Sequence, residues 1–476
     1  MAEKTPTGVI TYGIVGIPDD FDPHNQAVPN DFGTRVAFDS LLMVNESGGL
    51  VPWLAESWAP VDPVTWDFRL RAGVRFASGR PLTAESIRWN FERLRANPRL
   101  IASARIPTYE SAEVLDATTI RFRTRGPDAI WPRRVLQVVV ADPEELGAHG
   151  FSSNAGSGLF RITHFDRGRL LVHESAGATW RGTARLAGLR MLPYDPQGLL
   201  DALKSEEADF GYLSGTAVAE AESAGLILQR IVQANVHMIR FNSMRAPFDD
   251  PRFREAVSLA MDQARIVDEE YLGEGRAPNQ VVGDDCFGHD PGLPPLVVNV
   301  ERARQLVGEV GHRGRLSFDI LASSAVLRPW GEAAVKALRA VGVDVEPNFV
   351  DLPVYLGKLA SNRPERGDFI GAGNQYGPGQ DAEFSLNKFS NKLPPEQVEY
   401  SNPDFQALYD ASQVEFDQVK RLDLLQRATR LLLEDHGCVP MYQPALSWLV
   451  SPKVQGLRFN TVGAGWIDWR DVTKNR

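Results

Sequence analysis

Residues Val236 to Leu272 read VHMIRFNSMRAPFDDPRFREAVSLAMDQARIVDEEYL, and this stretch constrains the chain most. Apolar Val236, Met238, Ile239 and Phe241 predict a strand, which Asn242 and Ser243 end. Asp249 and Asp250 then precede Pro251. Asp accepts hydrogen bonds from the unpaired backbone donors at a helix start, and proline loses nothing in the first helical turn. Phe253, Ala256, Val257, Ala260 and Ala264 follow at helical spacing, with Met261 beside them. The stretch is therefore either an ordinary strand–loop–helix connection or a crossing, in which a strand leaves one compact unit and a helix opens another. The 476-residue length exceeds the size at which one core keeps growing, so at least two domains are expected.

Charge narrows the partners. Lys and Arg number 51 against 61 Asp and Glu, a net charge of −10. No dense basic tract exists, which argues against a nucleic-acid surface. The arginines between Arg123 and Arg134 are interrupted by Asp128 and apolar residues, as on a solvated face. No run of 18 apolar residues predicts a membrane-spanning helix. Met1-Ala2-Glu3-Lys4 passes into Thr5-Pro6 without an apolar leader core. That start suits either a cytoplasmic protein or a chain whose leader is absent. Cys286 and Cys438 are the only cysteines, too few for a disulfide scaffold or an all-cysteine zinc site. They form one bridge if the protein is exported, or remain two inert buried thiols.

The rest alternates strands and helices. Strands are expected at Val9–Ile14, Trp66–Leu70, Thr119–Arg123, Val135–Val140, Leu170–His173, Phe210–Leu213, Leu316–Leu321, Val343–Phe349, Asp368–Ile370, Val439–Tyr442, Leu446–Val450 and Leu457–Phe459. Helices are expected at Asp31–Met43, after Thr83, from Asp195 to near Ala208, at Val300–Val307, Pro329–Val341 and Pro353–Leu359, and most clearly at Val414–Leu433. Residues 316–349 have a βαβ order broken by Gly342. The fold class is α/β.

Signals for catalysis are sparse. The eight histidines form no HExxH pattern; His164 and His173 face each other only if a hairpin joins them. No GxSxG elbow appears. The NAGSGLF run at Asn154–Phe160 lacks the Gly-Lys-Ser/Thr of a phosphate loop, so its glycines are assigned to close chain packing. No catalytic residue, metal ligand or cofactor is called, and an unrecognised hydrolase stays as an alternative. Gly371–Asp381, GAGNQYGPGQD, follows a strand and is rich in glycine and amides. It either projects Asn374, Gln375 and Tyr376 toward a ligand, since amides both donate and accept, or is a surface turn.

Several passages resemble one family. Asn242, Pro247, Phe248, Asp250, Arg252, Arg254 and Ala256 are similar to its N…PF-D-R-R-A crossing, and Phe21-Asp22-Pro23-His24 to its early LDPH element. Leu54 to Leu94 resembles its longest diagnostic passage, and Gly156, Gly158, Leu159 and Phe160 match a further turn. These features resemble the extracellular solute-binding proteins of ABC importers, in the group with dipeptide-, oligopeptide- and nickel-binding members.

The resemblance implies a two-lobed periplasmic-binding-protein fold with a subdomain inserted in the first lobe. Residues 1–44, 154–241 and 451–476 would form the first lobe, 45–153 the insertion and 242–450 the second lobe. A small polar solute or short peptide would be captured between the lobes and delivered to a membrane permease by a monomer. The protein would be periplasmic or membrane-anchored outside the cell, its leader removed, and the Cys286–Cys438 bridge would form. Family position adds Phe21, His24, Asn45, Tyr212, Ser214 and Trp466 to the ligand-contacting candidates. Arg240 and Arg245 either meet a ligand carboxylate or decorate the crossover surface. Peptide-binding relatives carry an aspartate for the peptide amino terminus where Gln375 stands here, and a preceding tryptophan is missing. An amide supplies no full countercharge to an ammonium, which makes a sugar or an opine-like conjugate competitive with a peptide. Oligopeptide or dipeptide binding and metal or haem binding are the family's alternatives.

Overall fold

The computed structural model describes residues 6–14, 17, 22–25, 31–45, 49–149, 153–324, 326–359, 366–373, 381–459 and 467–475. The chain divides into two compact units, Met1–Ile231 with Leu446–Arg476, and Val232–Ala445. No helix among the described residues is long and apolar enough to cross a membrane.

The first unit is built on a seven-stranded sheet. Its order is Ile227–Val232, Ala445–Val450, Phe210–Leu213, Val9–Ile14, Gly188–Pro193, Leu170–Ser175, Phe160–Asp166. Val9–Ile14 runs parallel to both neighbours, with Tyr12 opposite Phe210 and Gly13 opposite Gly211. These two glycines admit the helix Pro196–Lys204: a Cβ on Gly13 would stand 2.2 Å from Leu199 Cδ1, and one on Gly211 2.8 Å from the same atom. Leu199, Leu200 and Leu203 are buried by that helix, each contributing about 1.5–3 kcal/mol.

Within the 45–153 span a four-stranded antiparallel sheet carries the helix Ala84–Ala96. Thr83 and Ser86 close a capping box at its start. Ile87, Phe91 and Leu94 are fully buried, and Phe91 meets Tyr109, Phe122 and Trp131 at centroid distances of 4.6–6.2 Å. This span lies inside the first unit. The glycines of the NAGSGLF run pack as expected: a Cβ on Gly156 would lie 2.0 Å from the Ala37 carbonyl oxygen.

The second unit holds a five-stranded sheet in the order Val345–Val350, Leu316–Leu321, Phe369–Gly373, His237–Phe241, Val439–Tyr442. The first three strands are parallel, and His237–Phe241 is antiparallel to both of its neighbours. Helix Leu327–Ala340 buries Trp330, Ala334 and Leu338, and Gly342, at φ +95°, permits the turn into the next strand.

Several expectations are corrected. The strand His237–Phe241 belongs to the second unit, so the chain crosses near 231/232 and 445/446 rather than near 241/242 and 450/451. The apolar run to Leu272 is two helices, Pro251–Leu259 and Gln263–Tyr271, because Asp262 caps the second through the Arg265 amide. The Asp31–Met43 helix stops at Ala37; Leu42–Val44 instead pairs with Leu50–Pro52. Val135–Val140 makes only an isolated bridge, Ser40 to Val139, because Trp131–Val135 is helical. The helix expected from Val414 starts at Gln418, capped by Asp417, after a separate helix Pro403–Val414. Leu457–Phe459 forms no strand; Val454–Gln455 pairs with Thr473–Lys474 near it.

Candidate functional site

Open α/β sheets bind ligands beyond the carboxyl ends of their parallel strands. In the first unit two adjacent parallel strands end at Ile14 and Leu213. The chain after Ile14 contains Phe21, and the chain after Leu213 is Ser214 and Gly215. In the second unit the parallel strand Phe369–Gly373 ends immediately before Asn374. The polar segments singled out in the sequence thus follow carboxyl-terminal strand ends in both units.

In the second unit this end is described by its neighbours. His237 is paired with Gly373 across the antiparallel ladder, and Asn235 stands two residues before it. A Cβ on Gly373 would approach His237 Nε2 to 3.3 Å and Asn235 Nδ2 to 3.4 Å. The Asn235 amide lies 3.0 Å from His237 Nε2. With the amide donating, the imidazole proton sits on Nδ1. That Nδ1, Asn235 Oδ1 and Trp330 Nε1 are buried and have no hydrogen-bond partner among the described residues. The Trp330 ring meets the His237 ring edge-on at 6.5 Å, and Tyr442 meets it at 6.2 Å. Buried polar atoms left unpaired in a folded chain are places where water or a ligand group completes the bonding. Sequence reading missed Asn235, His237 and Trp330, because each looks like a core residue until the register shows which strand end it shares.

Asp381, which follows residues 374–380 in sequence, is anchored. Asp381 accepts two bonds from Arg421, at 2.7 and 2.8 Å, and both side chains are almost fully buried. The Arg421 guanidinium also lies over the Phe287 ring, 5.2 Å from its centroid.

The remaining candidate residues fall in different places. Phe21, Asn374, Gln375, Tyr376 and Trp466 lie outside the described residues. His24 is fully buried: Arg93 Nη1 donates to its Nδ1 at 2.7 Å, and its Nε2–H donates to the Val139 carbonyl at 3.0 Å. Both ring nitrogens are used inside the protein, so His24 ties the early turn to the 45–153 span. Asn45 closes a turn on Gly49, its Oδ1 accepting from the Gly49 amide at 2.8 Å. Tyr212 is half-buried and meets Trp448 edge-on at 6.1 Å, while Ser214 is exposed just past the strand end. His164 pairs with Val172 rather than His173, and His173 is buried with Nε2 on the Gly33 carbonyl at 2.8 Å. Arg240 is buried on the protein's own Glu399 rather than at the surface. The expected bridge is not made: Cys286 and Cys438 stand as thiols, and the Cys286 Sγ points to the Ala234 carbonyl at 3.8 Å.

Burial sets the protonation of these groups. It pushes the imidazole of His237 down to about 3 and that of His173 down to about 4. His24 is lowered to about 4 by burial and then by the adjacent Arg93 charge. All three are neutral at pH 7, so they offer hydrogen bonds rather than charge.

The profile of bacterial extracellular solute-binding proteins, family 5 (middle region), matches residues 49–393. The periplasmic oligopeptide-binding protein OppA of Haemophilus influenzae is 23% identical over 492 residues, spanning 92% of this chain and 88% of that protein. The di/tripeptide-binding protein 2 of Pseudomonas aeruginosa is 20% identical over 490 residues, spanning 94% and 92%. Among solved structures, the ABC transporter substrate-binding protein CtaP of Listeria monocytogenes superposes with a TM-score of 0.86 at 15% identity, covering 99% of this chain and 100% of that one. The fold is the two-lobed α/β fold of these binding proteins. With 345 of its 476 residues, 49 through 393, under the family profile, the chain belongs to the bacterial extracellular solute-binding proteins, family 5.

Proposed function

We propose that the chain is the periplasmic substrate-binding component of an ABC importer, which captures a short peptide or peptide-like polar solute and hands it unchanged to a membrane permease. The observation that carries this reading is family membership over most of the chain, with relatives named for oligopeptide and di/tripeptide binding that span nearly its whole length. The arrangement at the strand ends agrees with it. An amide, a neutral imidazole and an indole N–H are set to bond a polar solute, with no bond to be made or broken. The ligand contacts come from the strand-end segments of each unit, with Asn374, Gln375 and Tyr376 contributing from the second and Phe21 and Ser214 from the first. Asn45, Tyr212 and Trp466 stand as further contacts on family position alone.

A second reading rests on the family resemblance, which sets Gln375 where peptide-binding relatives carry a carboxylate and so favours a solute without a free ammonium, such as a sugar or opine-like conjugate. Calorimetric titration with free and N-acetylated tripeptides separates the two. Tighter binding of the free peptide supports an ammonium subsite. Equal or better binding of the acetylated one supports the second reading, and no peptide binding at all removes the first.

A further inference from the structure

The second unit contains a buried guanidinium with one edge unpaired among the described residues. Glu399 lies at the centre of the cluster, its side chain 2% exposed. Arg240 grips it side-on, Nε donating to Oε2 at 3.1 Å and Nη2 to Oε1 at 2.8 Å. Arg366 reaches the same carboxylate through Nη1 alone. The Arg366 side chain is only 4% exposed, yet its Nε and Nη2 have no hydrogen-bond partner among the described residues. Those two N–H groups form one edge of the planar guanidinium, the edge that Arg240 turns toward Glu399. Two parallel donors on such an edge match the spacing of two oxygens on a carboxylate or phosphate.

Charge points the same way. Arg240 and Arg366 share one carboxylate, which leaves the trio at +1. The Lys388 ammonium lies within the field of Arg240 but is offset by the Glu383 carboxylate. Asp319, the other carboxylate acting on Arg366, is already occupied: Lys358 Nζ lies 3.0 Å from both its oxygens, Asn348 donates at 2.6 Å, and the Gly367 amide donates as well. A buried cation with unmet donors is costly, and no group among the described residues meets them.

We propose that the open edge of Arg366 binds a small oxyanion, a carboxylate or a phosphate, beside the positive charge of Arg240. Arg366 precedes the strand Phe369–Gly373 in the chain, whereas Asn374 follows it. Occupancy would hold the 366–373 strand entry to the Glu399 region and stabilise the second unit whether or not a transport solute is bound.

Thermal unfolding of the whole chain, titrated with sodium phosphate and with sodium acetate against sodium chloride at matched ionic strength, tests this. A saturable rise in Tm with phosphate or acetate, lost in Arg366→Lys, is expected; lysine keeps the charge and removes the fork. The anion that produces the rise assigns the oxyanion class. Unsaturable rises that are the same in both proteins would overturn the proposal. If Arg366→Lys fails to fold, crystals of the unaltered chain grown with selenate decide. Anomalous density within hydrogen-bonding distance of Arg366 Nε and Nη2 supports the site; water alone there, or an adventitious ion only, bound elsewhere on the surface, removes it.

Discussion

Arg421 clasps Asp381 with two hydrogen bonds, at 2.7 and 2.8 Å, in a place where the two side chains are 2% and 1% exposed. Asp381 is the first described residue after the 374–380 segment. Arg421 lies in the long helix Gln418–Glu434 and also donates from Nε to the Ser412 carbonyl. The pair therefore fixes Asp381 to the core. Arg421→Met leaves a buried carboxylate without its countercharge and should cost about 3–5 kcal/mol in urea unfolding. Arg421→Met with Asp381→Leu should recover much of that loss, since no lone charge remains buried. A loss below about 1 kcal/mol in the single variant would show that the pair is not closed in solution.

Asp39 is a second junction, in the first unit. It accepts from Trp53 Nε1 at 2.9 Å, Trp180 Nε1 at 3.0 Å and Ser157 Oγ at 2.9 Å. The Arg181 guanidinium sits over the Trp53 ring, 4.4 Å from its centroid, with Nη1 3.5 Å from Asp39. Asp39→Ala leaves two indole donors and a hydroxyl unmet. It should lower stability by about 3 kcal/mol or more and change the tryptophan emission of the folded protein. An unchanged spectrum and midpoint would remove Asp39 from this role.

The buried histidines give a pH dependence of definite sign. Their folded pKa values are about 4 for His24 and His173 and about 3 for His237, below the usual 6.5. The unfolded chain therefore binds more protons than the folded one between these values, and stability rises with pH. The contribution is complete above pH 6.5 and is lost as pH falls toward 4, by up to about 3 kcal/mol per histidine. Urea midpoints taken between pH 7.5 and 4.5 should fall steadily below pH 6.5. A flat profile down to pH 5 would contradict neutral burial of all three.

The cysteines make a chemical prediction. Burial raises the Cys438 thiol, whereas Cys286 is only half-buried. Thiolate, not thiol, reacts with disulfide reagents. Counting thiols in denaturant should give two per chain without reductant, and in the native protein Cys286 should react well before Cys438. A count of zero would restore the bridge.

Much of the fold was legible because local signals and tertiary packing agree. Asp250 caps through the Arg252 amide before Pro251, Thr83 closes its box with Ser86, and Gly156 and Gly158 sit where Ala37 leaves no room for a Cβ. The errors came where a periodic run spans two elements. The break between Leu259 and Gln263 depends on a single capping Asp262, and Val135–Val140 carries a strand's composition in a place already taken by a short helix. The crossing point was misplaced by one strand because His237–Phe241 is buried on both faces, as a central strand of either unit would be. The site was only partly legible. Strand-end segments could be found from glycine and amide content, but Asn235, His237 and Trp330 are joined by ladder register, and Arg240 meets Glu399 across 159 residues of sequence.

Dialysis of the purified chain against a mixture of di-, tri- and tetrapeptides and sugar or opine-like conjugates, with mass spectrometry of both compartments, tests the central claim most directly. One solute class should be enriched on the protein side, at one molecule per chain, with every mass unchanged after release. Fragments or new masses appearing only with the protein present would contradict it, as would the absence of any enriched solute.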